Sequence, residues 1–459
     1  MKEYLNSLLS NKKVLILGYG REGRSTLKLL SEIIPTDHIT VADKNSAVFN
    51  DDLIIKSLFP TLQSGKDYLK DIEKFDIVIK SPGISLDQNS NKSNVEAITS
   101  QTGLFLNFYK NQVIGITGTK GKSTTSSLLY HILRTNSSDV IFGGNIGIPL
   151  FDLIGEISSD TKIVCELSSH QLQNIQSSPG ISILLNIFQE HLDHYDSYNA
   201  YKLAKYNIAR FQQPEDFFIY NASDKQVSEL VNYYPPNGEK LPLSFTDIDG
   251  NGIKVKGKEI ILTTSKFSRK ILPVNFQSQL TGEHNRNNAI VAAAAAALLD
   301  VPTAMIEEAI SSFLPLEHRL EYVGTFRNVK YYNDSISTIP ESAIAGIESL
   351  KPIDTLILGG FNRGIDYSEL IEYLHKGNVH HVVTTGPAGL HIYELIMSSS
   401  IQLQAFHFDK FDEAVKKAVS LTPSGGICLL SPAASSYNEF KNFEERGRRF
   451  KELVNEQSS

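Results

Sequence analysis

A chain of 459 residues with 51 acidic and 44 basic side chains, net charge −7, is long enough for about three domains of ~150 residues, each with its own core. That mild acidity, with both signs mixed along the chain, argues against a nucleic-acid partner. Two cysteines, Cys165 and Cys428, each sit in an apolar run, IVCEL and GICLL, which excludes a disulfide framework and predicts buried thiols in a reducing compartment.

In chain order, MKEYLNSLLSNKK holds no continuous apolar run of signal-peptide length. VLILG (14–18), HITVAD (38–43) and FDIVIK (75–80) then read as parallel strands of a small doubly wound sheet. A second series runs through QVIGIT (112–117), KIVCE (162–166), ISILLN (181–186) and FFIYN (217–221). The stretch 240–275 is richer in Gly, Thr, Ile and Val, which predicts a β appendage before a helix over 287–299. The apolar run AIVAAAAAALL within that helix is too short to span a bilayer, so a cytoplasmic protein with no membrane insertion is expected. A third series, NVKYYND, DTLILGG, HHVVTTG and GICLLS, opens near Leu314. The expected fold is α/β in three domains, 1–108, 109–313 and 314–459.

Two glycine-rich turns carry the first chemistry. GYGREG, with Gly18, Gly20 and Gly23, follows a strand and leads into a helix, and Asp43 ends the next strand. Such a turn lets the backbone approach a diphosphate at the helix N-terminus. A nicotinamide nucleotide, a UDP-sugar or an empty tight turn all suit it. The loop Ser81-Pro82-Gly83 follows FDIVIK, where the carboxyl ends of parallel strands form a ligand crevice.

The second turn, GITGTKGKSTT, is a more specific sign, although Ile116 stands where the common phosphate-loop spelling has a glycine. The strand VIGIT runs into a loop of Gly118, Thr119, Lys120 and Gly121 and then a helix, so backbone N–H groups and the helix dipole can wrap a triphosphate. Lys122 would neutralise the β/γ oxygens, and Ser123 or Thr124 would give a hydroxyl to Mg²⁺. Glu166 at a strand end could hold the same ion, or be an ordinary surface charge. His191, Asp193 and His194 crowd together in EHLDHY, and the helix AYKLAKYNIAR carries Lys202 and Lys205. A kinase, a GTPase and a ligase all remain open on these residues.

TGTKGKSTT, GGNIG, ELSSHQL, EHLDHY, YKLAK, GEHNRNN, LEHRLE, NDS and SPAASSYNEFKNFEERG, in that order over most of the chain, resemble the Mur ligases. GYGREG, the SPG loop and FKNFEERG most resemble the branch that adds glutamate to UDP-N-acetylmuramoyl-L-alanine in peptidoglycan synthesis. The resemblance implies an N-terminal UDP-binding domain, a central ATPase domain and a C-terminal amino-acid-binding domain, here expected as a monomer. ATP would phosphorylate the muramoyl-alanine carboxylate, and the amine of D-glutamate would attack the acyl phosphate. Ser123 and Glu166 would hold one Mg²⁺, and His191 and Lys205 a second, with Lys205 as its carbamate. Asn145, Ser168, Gln171 and His191 would contact the muramoyl-alanine part. Gly18, Arg21, Glu22, Asp43, Lys44, Ser81, Pro82 and Gly83 match the uridine and diphosphate positions. Asn288 would meet the adenine, and Arg319 and Asp334 the γ-phosphate and ribose.

The amino-acid contacts depart from the family pattern. Ile336 stands in NDSISTIPES where the family has a lysine, and losing that cation should weaken carboxylate recognition by about 1–3 kcal/mol unless another donor replaces it. Arg363, standing at another family lysine, could supply a bidentate fork. Thr338, Ser436 and Phe443 match the remaining contacts. L-Glutamate as substrate therefore stays open; the N-terminal GYGREG unit argues against the alternative of a folylpolyglutamate synthase-like ligase, and a P-loop regulatory module would leave His191, Lys205 and SPAASSYNEFKNF without work.

Overall fold

The structure, a computed structural model, describes all residues except 51, 85, 87–96, 138, 146–147, 190–193, 245–249, 281, 315–316, 363–364, 400–402 and 457–459, and the side chains of Ala97, Glu341 and Ala345. The chain forms two compact units, Met1–Phe313 and Leu314–Ser459, and α/β layering runs through both.

The first unit holds two sheets. Thr61–Ser64, Ile39–Asp43, Val14–Leu17, Ile77–Lys80 and Ala97–Thr99 lie side by side in that order, all parallel. Val14–Leu17 and Ile77–Lys80 are buried along their whole length, which is why they read as unbroken apolar runs. The larger sheet has nine strands, and Val113–Thr117, also wholly buried, lies between Ile181–Leu184 and Lys162–Glu166. The strands Glu239–Ser244 to Ser268–Pro273 are no separate appendage. Glu239–Ser244 pairs parallel with Phe217–Asn221, Gly252–Lys256 continues parallel, and the last two turn back antiparallel to finish the same sheet. The alanine-rich helix begins at Glu283, earlier than its apolar run suggests, and Gly282 (φ +91°) precedes it. Its buried alanines share a core with the helix Lys122–Asn136. Small side chains there let helices pack closely behind the phosphate loop.

In the second unit, Glu321–Phe326 is antiparallel to Val329–Asn333, and the sheet continues parallel through Ile427–Leu430, Ile353–Gly359, Val379–Thr385 and Gln404–Phe408. Cys165 and Cys428 are fully buried, and burial pushes both thiols up to about 12. Among the described residues, no helix is long and apolar enough to cross a membrane.

Candidate active site

Several side chains hold the glycine-rich loop. Asn186, at the end of an apolar strand run, accepts from Lys120 N at 2.8 Å and donates to Lys120 O at 3.0 Å. Thr119 is fixed beside it: its N–H donates to Asn186 O, and its hydroxyl lies 2.9 Å from Tyr201 Oη. Gly121 turns at φ +86°, and a Cβ there would lie 2.8 Å from Asn288 Oδ1. So Asn288 packs against the loop itself, and only glycine fits between them. The helix Lys122–Asn136 then starts with Lys122, followed by buried Ser123 and half-buried Thr124.

Two lysines from different helices converge on this loop. Lys122 Nζ donates to Gly118 O and Thr119 O, both at 2.9 Å, and Lys205 Nζ donates to Gly118 O at 2.9 Å. Lys205, 2 % exposed, comes from the helix Tyr198–Arg210 and lies 5.0 Å over the Tyr201 ring. Glu166 ends its strand fully buried. One carboxylate oxygen accepts from Asn145 Nδ2 at 2.7 Å, and the other is buried with no hydrogen-bond partner among the described residues. A buried, half-satisfied carboxylate is a costly group unless a cation or donor completes it.

A cleft of about 300 Å³ lies in this region, lined by Pro82, Gly83, Lys122, Asn145, Ser168, Ser169, His170 and Lys205. It runs from the Ser81-Pro82-Gly83 loop after the first sheet to Lys122 at the glycine-rich turn of the second. The two sides are tied directly: Gln171 Nε2 donates to Glu22 Oε1 at 2.7 Å, and Arg21 reaches Asn145 O at 3.3 Å. Ser168 caps the short helix that carries Gln171, which also returns to Ser168 N. Burial pushes the Glu22 carboxyl above its ordinary value, against the pull of Gln171, Arg21 and Lys80.

The GYGREG turn is built as its glycines require. Gly18 has φ +94°, and a Cβ on Gly23 would lie 2.0 Å from Gly18 O. Ser81 Oγ donates to Gly18 O at 2.9 Å, so the SPG loop packs on the turn. Asp43 is partly committed to structure, since its two oxygens accept from Tyr19 N and Asn45 N. Lys44 next to it is exposed.

Of the expected metal ligands, His191 lies outside the described residues, as does Asp193. His194 is described, and its ring meets His170 edge-on at 4.1 Å. Among the described residues, no group of three His, Cys, Asp or Glu side chains could hold a metal. His170, a cleft residue, and Asn186, the loop clamp, were given no role by the sequence. The only signal for His170 was its place inside ELSSHQL.

In the second unit, Asp334 is 3 % exposed and accepts from Leu320 N at 3.1 Å and Ser431 Oγ at 2.7 Å. Burial pushes its carboxyl up to about 6, despite Ser337, Ser431 and the nearby Arg319. The folded chain thus holds that proton more tightly than the unfolded one, whose value is 3.8. Stability should fall as pH rises from about 4 to 6, and be lost no further above that. Thermal melts of Asp334→Asn across this range should show that slope removed; an unchanged slope would reject the assignment. Arg319 Nε is buried and has no hydrogen-bond partner among the described residues. Of the amino-acid contacts, Ser436 is buried, Thr338 and Phe443 are half-buried, and Arg363 lies outside the described residues. Ile336 is half-buried, and its N–H donates to His318 O.

Family models described as the Mur ligase middle domain and the Mur ligase glutamate ligase domain match residues 116–296 and 318–434. The chain is similar to two curated proteins named UDP-N-acetylmuramoylalanine--D-glutamate ligase. One, from Thermoanaerobacter sp. (strain X514), is 32 % identical over 98 % of this chain and 99 % of its own. The other, from Oenococcus oeni, is 32 % identical over 97 % of each. Among solved structures, a UDP-N-acetylmuramate-alanine ligase from Thermotoga maritima matches 97 % of this chain and 100 % of its own with a TM-score of 0.54. At 18 % identity that likeness bears on the fold alone.

Proposed function

The chain belongs to the Mur ligase family, and we propose that it joins D-glutamate to UDP-N-acetylmuramoyl-L-alanine through an acyl phosphate made at the expense of ATP. The full-length likeness to ligases of that name supports the substrates. The observation that carries the chemistry is the convergence of Lys122 and Lys205 on Gly118 O at one cleft that also reaches the SPG loop. Bringing a triphosphate up to a carboxylate sets like charges together, and the half-buried Lys122 ammonium at that point opposes the repulsion.

The roles follow the family motifs that these residues match. Residues 1–108 take the uridine diphosphate end through the GYGREG and SPG turns, with Arg21 and Lys44 as cations. Asn145, Ser168 and Gln171 direct the muramoyl-alanine part toward Lys122. The loop from Gly118 to Thr124 holds the triphosphate against Asn288, within a domain spanning 109–313. Arg319 and Asp334 serve the nucleotide, and Thr338, Arg363, Ser436 and Phe443 the glutamate, within 314–459.

The chemistry of two donors fits Mg²⁺. The unsatisfied Glu166 oxygen and the Ser123 hydroxyl are hard oxygen ligands of the kind this ion takes. Bound there, Mg²⁺ would neutralise phosphate charge. A second ion would need His191 and a carbamate on Lys205. ATP and a UDP-linked precursor as substrates fit a cytoplasmic enzyme.

Phosphate release from ATP, measured with UDP-N-acetylmuramoyl-L-alanine and either D- or L-glutamate, tests this reading. Release should require all three substrates and favour the D-isomer. Absence of release with both isomers rejects the ligase, and preference for the L-isomer rejects the substrate. Ile336, in place of a cation, is the reason to run both arms.

A further inference from the structure

Among the described residues Arg446 is the largest fully buried side chain, 1 % exposed, on the helix Phe443–Glu456. It makes no ion pair among the described residues. Its guanidinium instead donates to neutral oxygens on three separate segments: Nε to Ser335 Oγ at 3.0 Å, Nη2 to Ser335 O at 2.9 Å, and Nη1 to Ala434 O at 3.0 Å and Gly359 O at 3.4 Å. Ser335 follows the strand Val329–Asn333, Gly359 ends Ile353–Gly359, and Ala434 follows Ile427–Leu430. These are neighbouring parallel strands, so the guanidinium sits across their carboxyl ends, the edge at which α/β sheets take ligands. Ser335 Oγ donates onward to Phe443 O at 2.8 Å, tying in the start of the helix itself. A Cβ on Gly360 would come within 3.0 Å of Nη1, so the backbone is closed down on the group.

We propose that Arg446 is the positioning residue of the amino-acid pocket, holding in register the strand-end loops and the helix start that carry its contacts. Thr338 stands shortly after Ser335, Ser436 shortly after Ala434, and Phe443 one helical turn before Arg446. Arg363 comes shortly after Gly359 in the sequence. A planar fork of donors can bind three carbonyl and hydroxyl positions at fixed angles; a lysine ammonium cannot. A buried charge without a carboxylate is expensive, and burial lowers its pKa to about 9, so it stays charged at neutral pH. A salt bridge would satisfy structure at less cost. Neutral carbonyls as partners leave positive potential at the strand ends, where a dicarboxylate substrate gains from it.

This inference rests on the ligase reading, and the test separates the two. Arg446→Lys and the milder Ser335→Ala are assayed for the KM of D-glutamate, ATP and UDP-N-acetylmuramoyl-L-alanine, with thermal melts alongside. Both variants should raise the glutamate KM by about tenfold to 10²-fold while the other two KM values stay near those of the unaltered protein. An unaltered glutamate KM in Ser335→Ala, or a parallel rise in all three KM values, overturns the positioning role. Should Arg446→Lys fail to fold, Ser335→Ala alone decides. Lack of glutamate-dependent phosphate release by the unaltered protein overturns the ligase reading and this role with it.

Discussion

Lys122→Ala should yield a folded protein whose kcat/KM for phosphate release falls by about 10³-fold. The side chain stands at the first residue of a helix that follows a wholly buried strand, and its ammonium is held by Gly118 O and Thr119 O. Two unit charges about 4 Å apart interact by about 1 kcal/mol in water but about 4 kcal/mol at the effective dielectric of a protein cleft. At 1.36 kcal/mol per decade, the second figure is the one that reaches about 10³. The first would give less than tenfold. The size of the loss therefore reports whether Lys122 meets its phosphate out of water. Steady-state phosphate release with all three substrates, beside a thermal melt, measures it. Activity within tenfold of the unaltered protein, at an unchanged melting temperature, would remove Lys122 from the phosphates. Arg at this position should restore little, because a planar fork replaces a compact point charge between two carbonyls.

The loop around Lys122 was legible in the sequence because its parts are local: a strand, a glycine turn and a helix follow one another in the chain. The strands ILIL-like in character, VLIL, IVIK and VIGIT, were legible for a related reason, since burial on both faces leaves no polar alternation to confuse them. Strands at sheet edges were not. TLQS (61–64) is mostly exposed and carries no apolar signal, and QAFHF (404–408) is only half-buried. The strands after Glu239 were recognised as β, but their parallel pairing onto Phe217–Asn221 depends on partners distant in sequence. The site divides in the same way. Motifs located Lys122, Lys205 and Glu166, whereas the Asn186 clamp, the Gln171 to Glu22 bond and the reach of Arg446 to three strand ends are contacts between separated segments. Spacing alone cannot show them.

Lys205→Ala should cost about 10²–10³-fold in kcat and recover in part with added bicarbonate-independent carboxylates such as formate or acetate. The reason lies in where the side chain sits. Its ammonium has a carbonyl, Gly118 O, at 2.9 Å and an aromatic face at 5.0 Å, and it is buried beside a loop whose other lysine already faces the same carbonyl. A second fixed ammonium would only add cationic charge. A carbamate, formed when the neutral amine bonds to the carbon of CO₂ and releases a proton, would reverse the sign at that point and create an oxygen ligand for Mg²⁺. The two forms predict different rescue. A carboxylate entering the space left by Lys205→Ala replaces a carbamate but not an ammonium, and an amine such as ethylamine does the opposite. Carbon-13 bicarbonate supplies a readout apart from turnover: the unaltered protein should show a carbamate resonance that Lys205→Ala lacks. Rescue by amines and not by carboxylates, together with no such resonance, would establish Lys205 as a plain cation and leave Glu166 and Ser123 as the ligands of a single ion.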